Sequence, residues 1–343
     1  MSFVGKAVGD LGATMAAGGI VVGHRLGLYR ALAEGAASPD TLAERTGTTT
    51  RYVAEWLAQQ AAGGYVEYDA ATGEFSLTEE QAFALTDPDG PLYLPGAFVL
   101  ALGALRAEPR VSAVFRSGEG LGWHEHDEDV FLGCECFFRP GYRAHLVDEW
   151  LPTLDGVVEK LQAGSRVADV GCGHGASTVL MAQAFPNSTF VGSDYHEASV
   201  ELARKRAADA GVAGQTSFET SSAQTFGGEG YDLVTTFDCI HDMGDPVGAA
   251  RHIRESLSPE GTWLMVEPLA GDTLAENLNP LGRAYYGFST FICVGAGRSQ
   301  AGGYSLGAQA GPAALRQVAT DAGFTRFRPV ADTPLNTVYE VRP

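Results

Sequence analysis

The chain has 343 residues, of which 45% are hydrophobic, and a formal net charge of −19. This length favours two domains with substantial cores. The negative charge disfavours nucleic acids and anionic membrane surfaces as partners, because both are bound through Lys and Arg. The apolar stretch at residues 11–23 is too short and too rich in glycine for a membrane span or a signal peptide. The five cysteines, an odd and sparse set, predict reduced thiols and a cytoplasmic protein.

Residues 1–90 have the pattern of a mainly helical winged-helix domain. Ser38 is placed to cap a short helix, and Gly47 lies in the tight turn that follows it. Val53 and Leu57 share one face of a second helix. Two short strands around "DAATG" complete the wing. This segment holds twelve acidic and five basic residues, whereas a groove-reading helix needs a basic footprint. We therefore expect dimerisation rather than DNA binding, with the apolar helix before it packing against a second copy.

Residues 91–150 are predicted to be a helical connector that caps a ligand. Aromatic side chains crowd its second half, so we expect Trp123 and His124 to contact a substrate, and Phe138 and Tyr142 to reach a cofactor. Histidines and cysteines also alternate with acids there, in H-x-H and C-x-C spacings that match no standard closed zinc site; these residues are His124, His126, Cys134 and Cys136. We therefore predict no metal.

The stretch "VADVGCGHGAS", from residue 167 to 177, reads as a strand, a glycine turn and the start of a helix. The next strand ends at Asp194, 23 residues after Gly171, where a carboxylate can bind a ribose diol. Asp169 precedes the glycines and would repel a pyrophosphate, whereas it suits the ammonium of a methionine group. An NAD-dependent oxidoreductase remains the alternative interpretation of this pattern.

Strands and helices continue to alternate, and the chain closes with two strands that have no helix between them. This order predicts an α/β, Rossmann-like seven-stranded sheet whose last strand is antiparallel, within a domain at residues 151–343. The long insertion at residues 269–312 is rich in glycine and aromatic residues, which is typical of a lid. We expect four of its aromatic side chains to line an acceptor pocket, namely Tyr285, Tyr286, Phe288 and Phe291.

These motifs resemble class I S-adenosylmethionine-dependent methyltransferases with an N-terminal winged helix, especially an actinobacterial small-molecule group similar to plant and bacterial O-methyltransferases. The resemblance covers most of the chain and implies S-adenosylmethionine (SAM) as cofactor, S-adenosylhomocysteine (SAH) as product, a small-molecule acceptor and a homodimer. Ser222 stands where the family commonly has Asp. The cofactor contacts that it implies are Asp169, Gly171 and Gly173 at the methionine end, Asp194 at the ribose, Tyr195, Ser222 and Ala223 at the adenine, and the Phe237 carbonyl at the ammonium.

The stretch "IHDMGD", from residue 240 to 245, resembles the family motif L-H-D-W-x-D, with Met243 in place of Trp. The resemblance implies that His241 is a general base and Glu267 its partner. A histidine titrates near neutrality, and a neighbouring carboxylate can orient its ring. Three alternatives stay open: His124 or His126 as the base, methylation of N, S or C by proximity alone, and a winged-helix regulator that senses a ligand.

Overall fold

The computed structural model describes residues 2–343, which form two compact units. The first unit comprises the chain up to residue 103 together with residues 128–141, and the second comprises residues 104–127 and 142–343. The predicted boundaries at residues 90 and 150 stay predictions. No helix among residues 2–343 has both the length and the apolar character that crossing a membrane requires.

The N-terminal part of the first unit is the predicted winged helix. Ser38 accepts a hydrogen bond from the Thr41 amide and begins the first helix of the motif, which ends at Gly47 with φ +63°. Leu42 and Leu57 are fully buried between the helices. The elements are α1 (Phe3–Leu26), α2 (Leu28–Ala33), α3 (Pro39–Thr46), α4 (Thr50–Ala62), the antiparallel strands β1 (Glu67–Asp69) and β2 (Glu74–Ser76), α5 (Glu79–Leu85) and α6 (Pro95–Leu105).

The second unit contains a seven-stranded sheet in the order β5-β4-β3-β6-β7-β9-β8. The last strand is antiparallel to both neighbours, so the predicted fold class is confirmed. The strands are β3 (Arg166–Val170), β4 (Thr189–Asp194), β5 (Thr216–Thr220), β6 (Tyr231–Phe237), β7 (Leu257–Pro268), β8 (Arg326–Asp332) and β9 (Asn336–Arg342). The carboxyl ends of β3, β4, β6 and β7 meet at one edge of this sheet, together with the start of β9.

The remaining helices precede or connect the strands of this sheet. They are α7 (Glu108–Ser117), α8 (Glu128–His145), α9 (Val157–Ala163), α10 (Ala176–Ala184), α11 (Glu197–Asp209), α12 (Pro246–Ser256), α13 (Pro280–Phe288), α14 (Val294–Ser299) and α15 (Gly311–Asp321). Helices α13 and α14 fall inside the insertion that the sequence predicts to be a lid. A single π-helical turn, Ser289–Cys293, joins them.

The hydrophobic core of the second unit holds strands β6 and β7 in position. Val234 and Trp263, on the adjacent strands β6 and β7, are fully buried with Ile253 of α12 and Leu315 of α15. Burying large apolar side chains is the dominant stabilising term in folding. The indole of Trp263 also donates a hydrogen bond to the Thr236 hydroxyl at 3.0 Å. This packing fixes the positions from which the loops after β6 and β7 begin.

Candidate active site

The glycine turn after β3 leaves its backbone open on one side. Gly171 and Gly173 have φ of +74° and +52°, a conformation that side chains other than glycine rarely adopt. A Cβ atom on Gly171 would lie 2.9 Å from the sulfur of Cys239, whereas one on Gly173 would meet nothing within 4 Å. The turn therefore borders on the loop after β6 and offers open space at Gly173, as a cofactor cradle requires.

Asp169 holds this turn in place. Its carboxylate is buried and accepts hydrogen bonds from three hydroxyls, those of Ser177 at 2.6 Å, Thr178 at 2.5 Å and Thr235 at 2.9 Å. Burial raises the pKa of Asp169, and the hydroxyl donors oppose that shift. The side chain thus ties β3 to α10 and β6. Its direct contact with the methionine end of a cofactor stays a prediction.

Asp194 lies at the end of β4, beside the glycine turn. One of its carboxylate oxygens accepts from the Gly173 amide at 2.9 Å, and the other accepts from the His196 amide at 2.8 Å. Burial raises the pKa of Asp194, and these backbone donors oppose the shift. The following residue, Tyr195, is 40% exposed and makes an edge contact with the ring of His124. His124, predicted at the substrate, therefore lies beside a residue predicted at the adenine.

The remaining predicted cofactor residues of the second unit lie near the same edge. The Ser222 hydroxyl shares a hydrogen bond with that of Thr225, and Ala223 packs against the main core. The ring of Phe237, at the end of β6, is 5.0 Å from that of Tyr142. Phe138 belongs to the first unit, where its ring packs on Phe137. Cofactor contacts of these residues stay predictions.

The structure brings His241 and Glu267 together at the ends of β6 and β7. The ring nitrogen Nδ1 of His241 is 2.6 Å from Oε2 of Glu267. The other carboxylate oxygen accepts from the amides of Ile240 at 2.8 Å and Cys239 at 3.2 Å. Glu267 is 1% exposed, so a single buried carboxylate fixes both the loop and the ring. This is the geometry of an oriented acid–base group.

A residue of the insertion that the sequence analysis missed acts on this pair. Cys293, on the π-helical turn between α13 and α14, is buried and raises the pKa of His241. Burial opposes protonation of His241, but the Glu267 carboxylate and the Cys293 thiol outweigh it and raise the pKa of His241 well above 6.5. No sequence signal links two residues so far apart in the chain. The insertion contacts the candidate base through its backbone, because the Gly307 amide donates to the His241 carbonyl at 2.9 Å.

Asp238, also missed, directly follows β6, the strand between β3 and β7 in the sheet. It is the one residue other than glycine with positive φ among residues 2–343, at +51°. Its carboxylate oxygens accept from the Tyr142 hydroxyl at 3.1 Å and the Asn336 amide at 2.6 Å. Tyr142, predicted to reach a cofactor, thus contacts a carboxylate of the site. The detectable signal was an acidic residue directly after a buried strand.

The predicted acceptor-pocket aromatics do not share one environment. Tyr285 is buried and donates to the Leu335 carbonyl at 2.7 Å. Phe291 instead faces a groove of about 290 Å³ beside α7, lined also by Val111 and Leu121. Three more predicted substrate residues are half-buried, namely Trp123, Tyr286 and Phe288. Contact of any of these residues with an acceptor stays a prediction.

The other ionisable groups that the sequence singled out have different surroundings. His126 is buried, its ring nitrogens have no hydrogen-bond partner within residues 2–343, and burial lowers its pKa. Across the described part of the chain, no group of three or more His, Cys, Asp or Glu side chains is placed to hold a metal ion. The oriented pair His241 and Glu267 is therefore the stronger acid–base candidate.

Comparison with protein families assigns both parts of the chain. Residues 161–298 match the model described as a methyltransferase domain, and residues 14–87 match that of the Rv2258c-like winged HTH domain. The chain carries a methyltransferase domain behind a winged helix. The resemblance inferred from the sequence is thereby confirmed. The methyltransferase domain spans the glycine turn, Asp194, His241 and Glu267.

Relatives and solved structures agree with this assignment. The chain is 30% identical over 103 residues to a ubiquinone biosynthesis O-methyltransferase of Ruegeria pomeroyi, covering 30% of this chain and 41% of that protein. It spans less than half the length of the curated relatives that head this comparison.

Two solved structures share the fold of this chain over nearly their full length. An O-methyltransferase family protein from Burkholderia thailandensis has a TM-score of 0.69 at 18% identity, covering 100% of this chain and 98% of that one. Human N-acetylserotonin methyltransferase, solved in complex with SAM, has a TM-score of 0.69 at 15% identity with the same coverage. At these identities the likeness establishes the fold.

Proposed function

We propose that the protein is a SAM-dependent O-methyltransferase of small molecules, with His241 as its general base. The observation that carries this proposal is the 2.6 Å contact between His241 Nδ1 and Glu267 at the carboxyl edge of the sheet. That edge is where ligands bind in open α/β sheets. The methyltransferase domain and the SAM complex of the human structure support the choice of cofactor.

The residues of the glycine turn fit such a cofactor. Open space beside Gly173 lets the backbone approach a ligand, and Asp194 provides a carboxylate at the end of the neighbouring strand for ribose hydroxyls. When bound, SAM supplies an electrophilic methyl group on a positively charged sulfur. The protein's own contribution is to hold an acceptor hydroxyl near His241 and to exclude water from it.

His241 removes the proton of the acceptor hydroxyl. Glu267 accepts a hydrogen bond from Nδ1–H, which leaves the lone pair of the neutral ring on Nε2. The raised pKa of His241 favours the protonated ring in the free protein. The ring must lose that proton before it can act as a base. We therefore expect methyl transfer to accelerate as pH rises toward the raised pKa of His241.

The lid makes the acceptor site partly apolar. Cys293 is buried and raises the pKa of the base, and Tyr285 is buried near the start of β9. An acceptor that reaches His241 must therefore pass between lid side chains. This arrangement suits a small, partly apolar molecule with one reactive hydroxyl better than a large or strongly anionic one.

We also propose that the protein is a cytoplasmic homodimer. Helix α1 exposes a row of apolar side chains, including Val4, Val8, Leu11 and Met15, which are each more than 60% exposed. Such a row favours burial against a partner. All five cysteines are free thiols, as is usual in a reducing compartment. Light scattering of the purified protein at two concentrations tests the assembly.

Transfer of a labelled methyl group tests the activity. Purified protein, methyl-¹³C SAM and a small-molecule extract are mixed, and new signals are read by carbon NMR. The proposal predicts a labelled product whose methyl shift is that of a carbon on oxygen. A methyl on N, S or C would refute the O-directed reaction and favour transfer by proximity. Absence of label with SAM bound and several extracts would favour a ligand-sensing role.

A further inference from the structure

Asp238 directly follows β6, the strand that lies between β3, which leads into the glycine turn, and β7, which carries Glu267. Its neighbour Cys239 places its sulfur against the Gly171 turn, and two residues beyond that, His241 meets Glu267. A methyl group that moves from a cofactor at the glycine turn to an acceptor at His241 has to cross this region. The charges around Asp238 therefore act on the reacting centre.

Asp238 is surrounded by hydroxyl, amide and carboxylate groups, with the titratable ring of His241 beside it. It faces Tyr142 of α8, Asn336 of β9, Tyr285 of α13, and the pair Glu267 and His241. Within residues 2–343, no Lys or Arg forms an ion pair with it. Burial and the Glu267 carboxylate raise the pKa of Asp238 to about 7, while His241 opposes the shift.

The backbone and the donors around Asp238 favour a short polar acceptor at this position. A φ of +51° is one that, among residues other than glycine, mainly Asn and Asp adopt. The two donors, Tyr142 and Asn336, come from opposite ends of the second unit's chain and converge on its carboxylate. Residues in this conformation cluster at functional sites.

We propose that Asp238 is the counter-charge of the cofactor's sulfonium and makes the site bind SAM more tightly than SAH. This inference rests on the proposed function. SAM carries a positive sulfur that SAH lacks, while the two share their adenosine, carboxylate and ammonium groups. A carboxylate near the sulfur therefore discriminates between them, and it favours release of the product once the methyl has left.

Titration calorimetry with the full chain tests the inference without any acceptor. SAM and SAH are each titrated into the wild type, Asp238→Asn and the control Asp209→Asn. Asn is nearly isosteric, tolerates positive φ better than most residues, and keeps its bonds if the Asn336 amide rotates. Asp209 is exposed at the end of α11, so its variant removes one charge without touching the site.

We expect Asp238→Asn to weaken SAM binding about tenfold, the size of one partly screened charge interaction. SAH binding should change less than about twofold, which also shows that the variant is folded, and the control should match the wild type. Wild-type affinity for SAM should rise from about pH 6 to about pH 8 as Asp238 ionises, and the rise should be smaller in the variant.

Three results separate the possibilities. Equal weakening of both ligands would overturn the inference, because Asp238 would then act on the shared groups or on the fold. Unchanged binding of both would overturn it as well. If the wild type bound neither ligand, the proposed function itself would fail, and this inference with it.

Discussion

Replacement of Glu267 by Gln perturbs the candidate base without changing the size of the side chain. The new amide keeps an oxygen for the backbone N–H groups of Cys239 and Ile240, but its NH₂ group now faces Nδ1 of His241. The ring then accepts at Nδ1 and carries its proton on Nε2, which is the wrong tautomer for a base. Loss of a general base lowers rates about 10²- to 10⁴-fold.

The same change removes the counter-charge of a buried ring. A hydrogen bond to a charged group is worth about 1.5–3 kcal/mol. With the Glu267 carboxylate gone, burial dominates and the pKa of His241 should fall to or below 6.5, a loss of about 1.4 kcal/mol per pKa unit. A raised histidine pKa stabilises the fold below the unfolded-state pKa, and this stability is lost as pH rises through the folded-state value. The variant's deficit should therefore be largest in mild acid and shrink toward alkaline pH.

Nitrogen NMR of the imidazoles measures the tautomer and the pKa directly. His252, whose Nε2 lies 2.8 Å from the Phe226 carbonyl, belongs to α12 and serves as an internal reference. Urea unfolding at several pH values gives the stability difference. A His241 tautomer and pKa that are the same in wild type and variant would refute the reasoning, whatever happened to the rate.

Three further predictions concern the scaffold. Gly175→Ala should cost about 1–2 kcal/mol in backbone strain, because φ is +76°. The new Cβ would also lie 2.9 Å from the Cβ of Ala203, which adds to the cost. Thermal unfolding measures the loss of stability, and an unchanged unfolding midpoint would contradict the prediction. Asp169→Ala leaves three buried hydroxyls without the carboxylate that accepts from them. The free energy of unfolding, measured in urea, should fall by about 3 kcal/mol or more. A loss below about 1 kcal/mol would show that the hydroxyls find other partners. Leu57→Ala, fully buried in the winged helix, should cost that unit about 2–5 kcal/mol; hydrogen exchange that stays as slow as in wild type there would argue against the packing.

The sequence was sufficient for the sheet and for the pair of groups at its edge. Strand ends in an α/β sheet are marked by a change from apolar residues to glycines and acids, so Gly171, Asp194 and His241 could be placed on one edge without coordinates. The choice of Glu267 as the partner of His241 came from the resemblance to the methyltransferase family, which places a glutamate after the next strand. Local chemistry and strand order carry this information along the chain.

What the sequence could not supply were contacts that depend on side-chain direction. The three hydroxyls that donate to Asp169, from two helical positions and a neighbouring strand, were not predicted, and its contact with the methionine end stays a prediction. The packing of Phe291 beside α7 was not predicted either, and its contact with an acceptor stays a prediction. Asp238 and Cys293 were overlooked because their partners come from α8, β9 and the loop after β6. Such convergence is set by tertiary packing, which no local pattern encodes.

The rate of methyl transfer by His241→Asn tests the central claim most directly. With an acceptor identified by the labelling experiment, single-turnover rates of wild type and variant are compared at saturating SAM, and SAM binding is measured in parallel. The account predicts a rate about 10²- to 10⁴-fold lower with SAM affinity within about threefold of wild type. A variant that binds SAM and transfers the methyl group at the wild-type rate would contradict it.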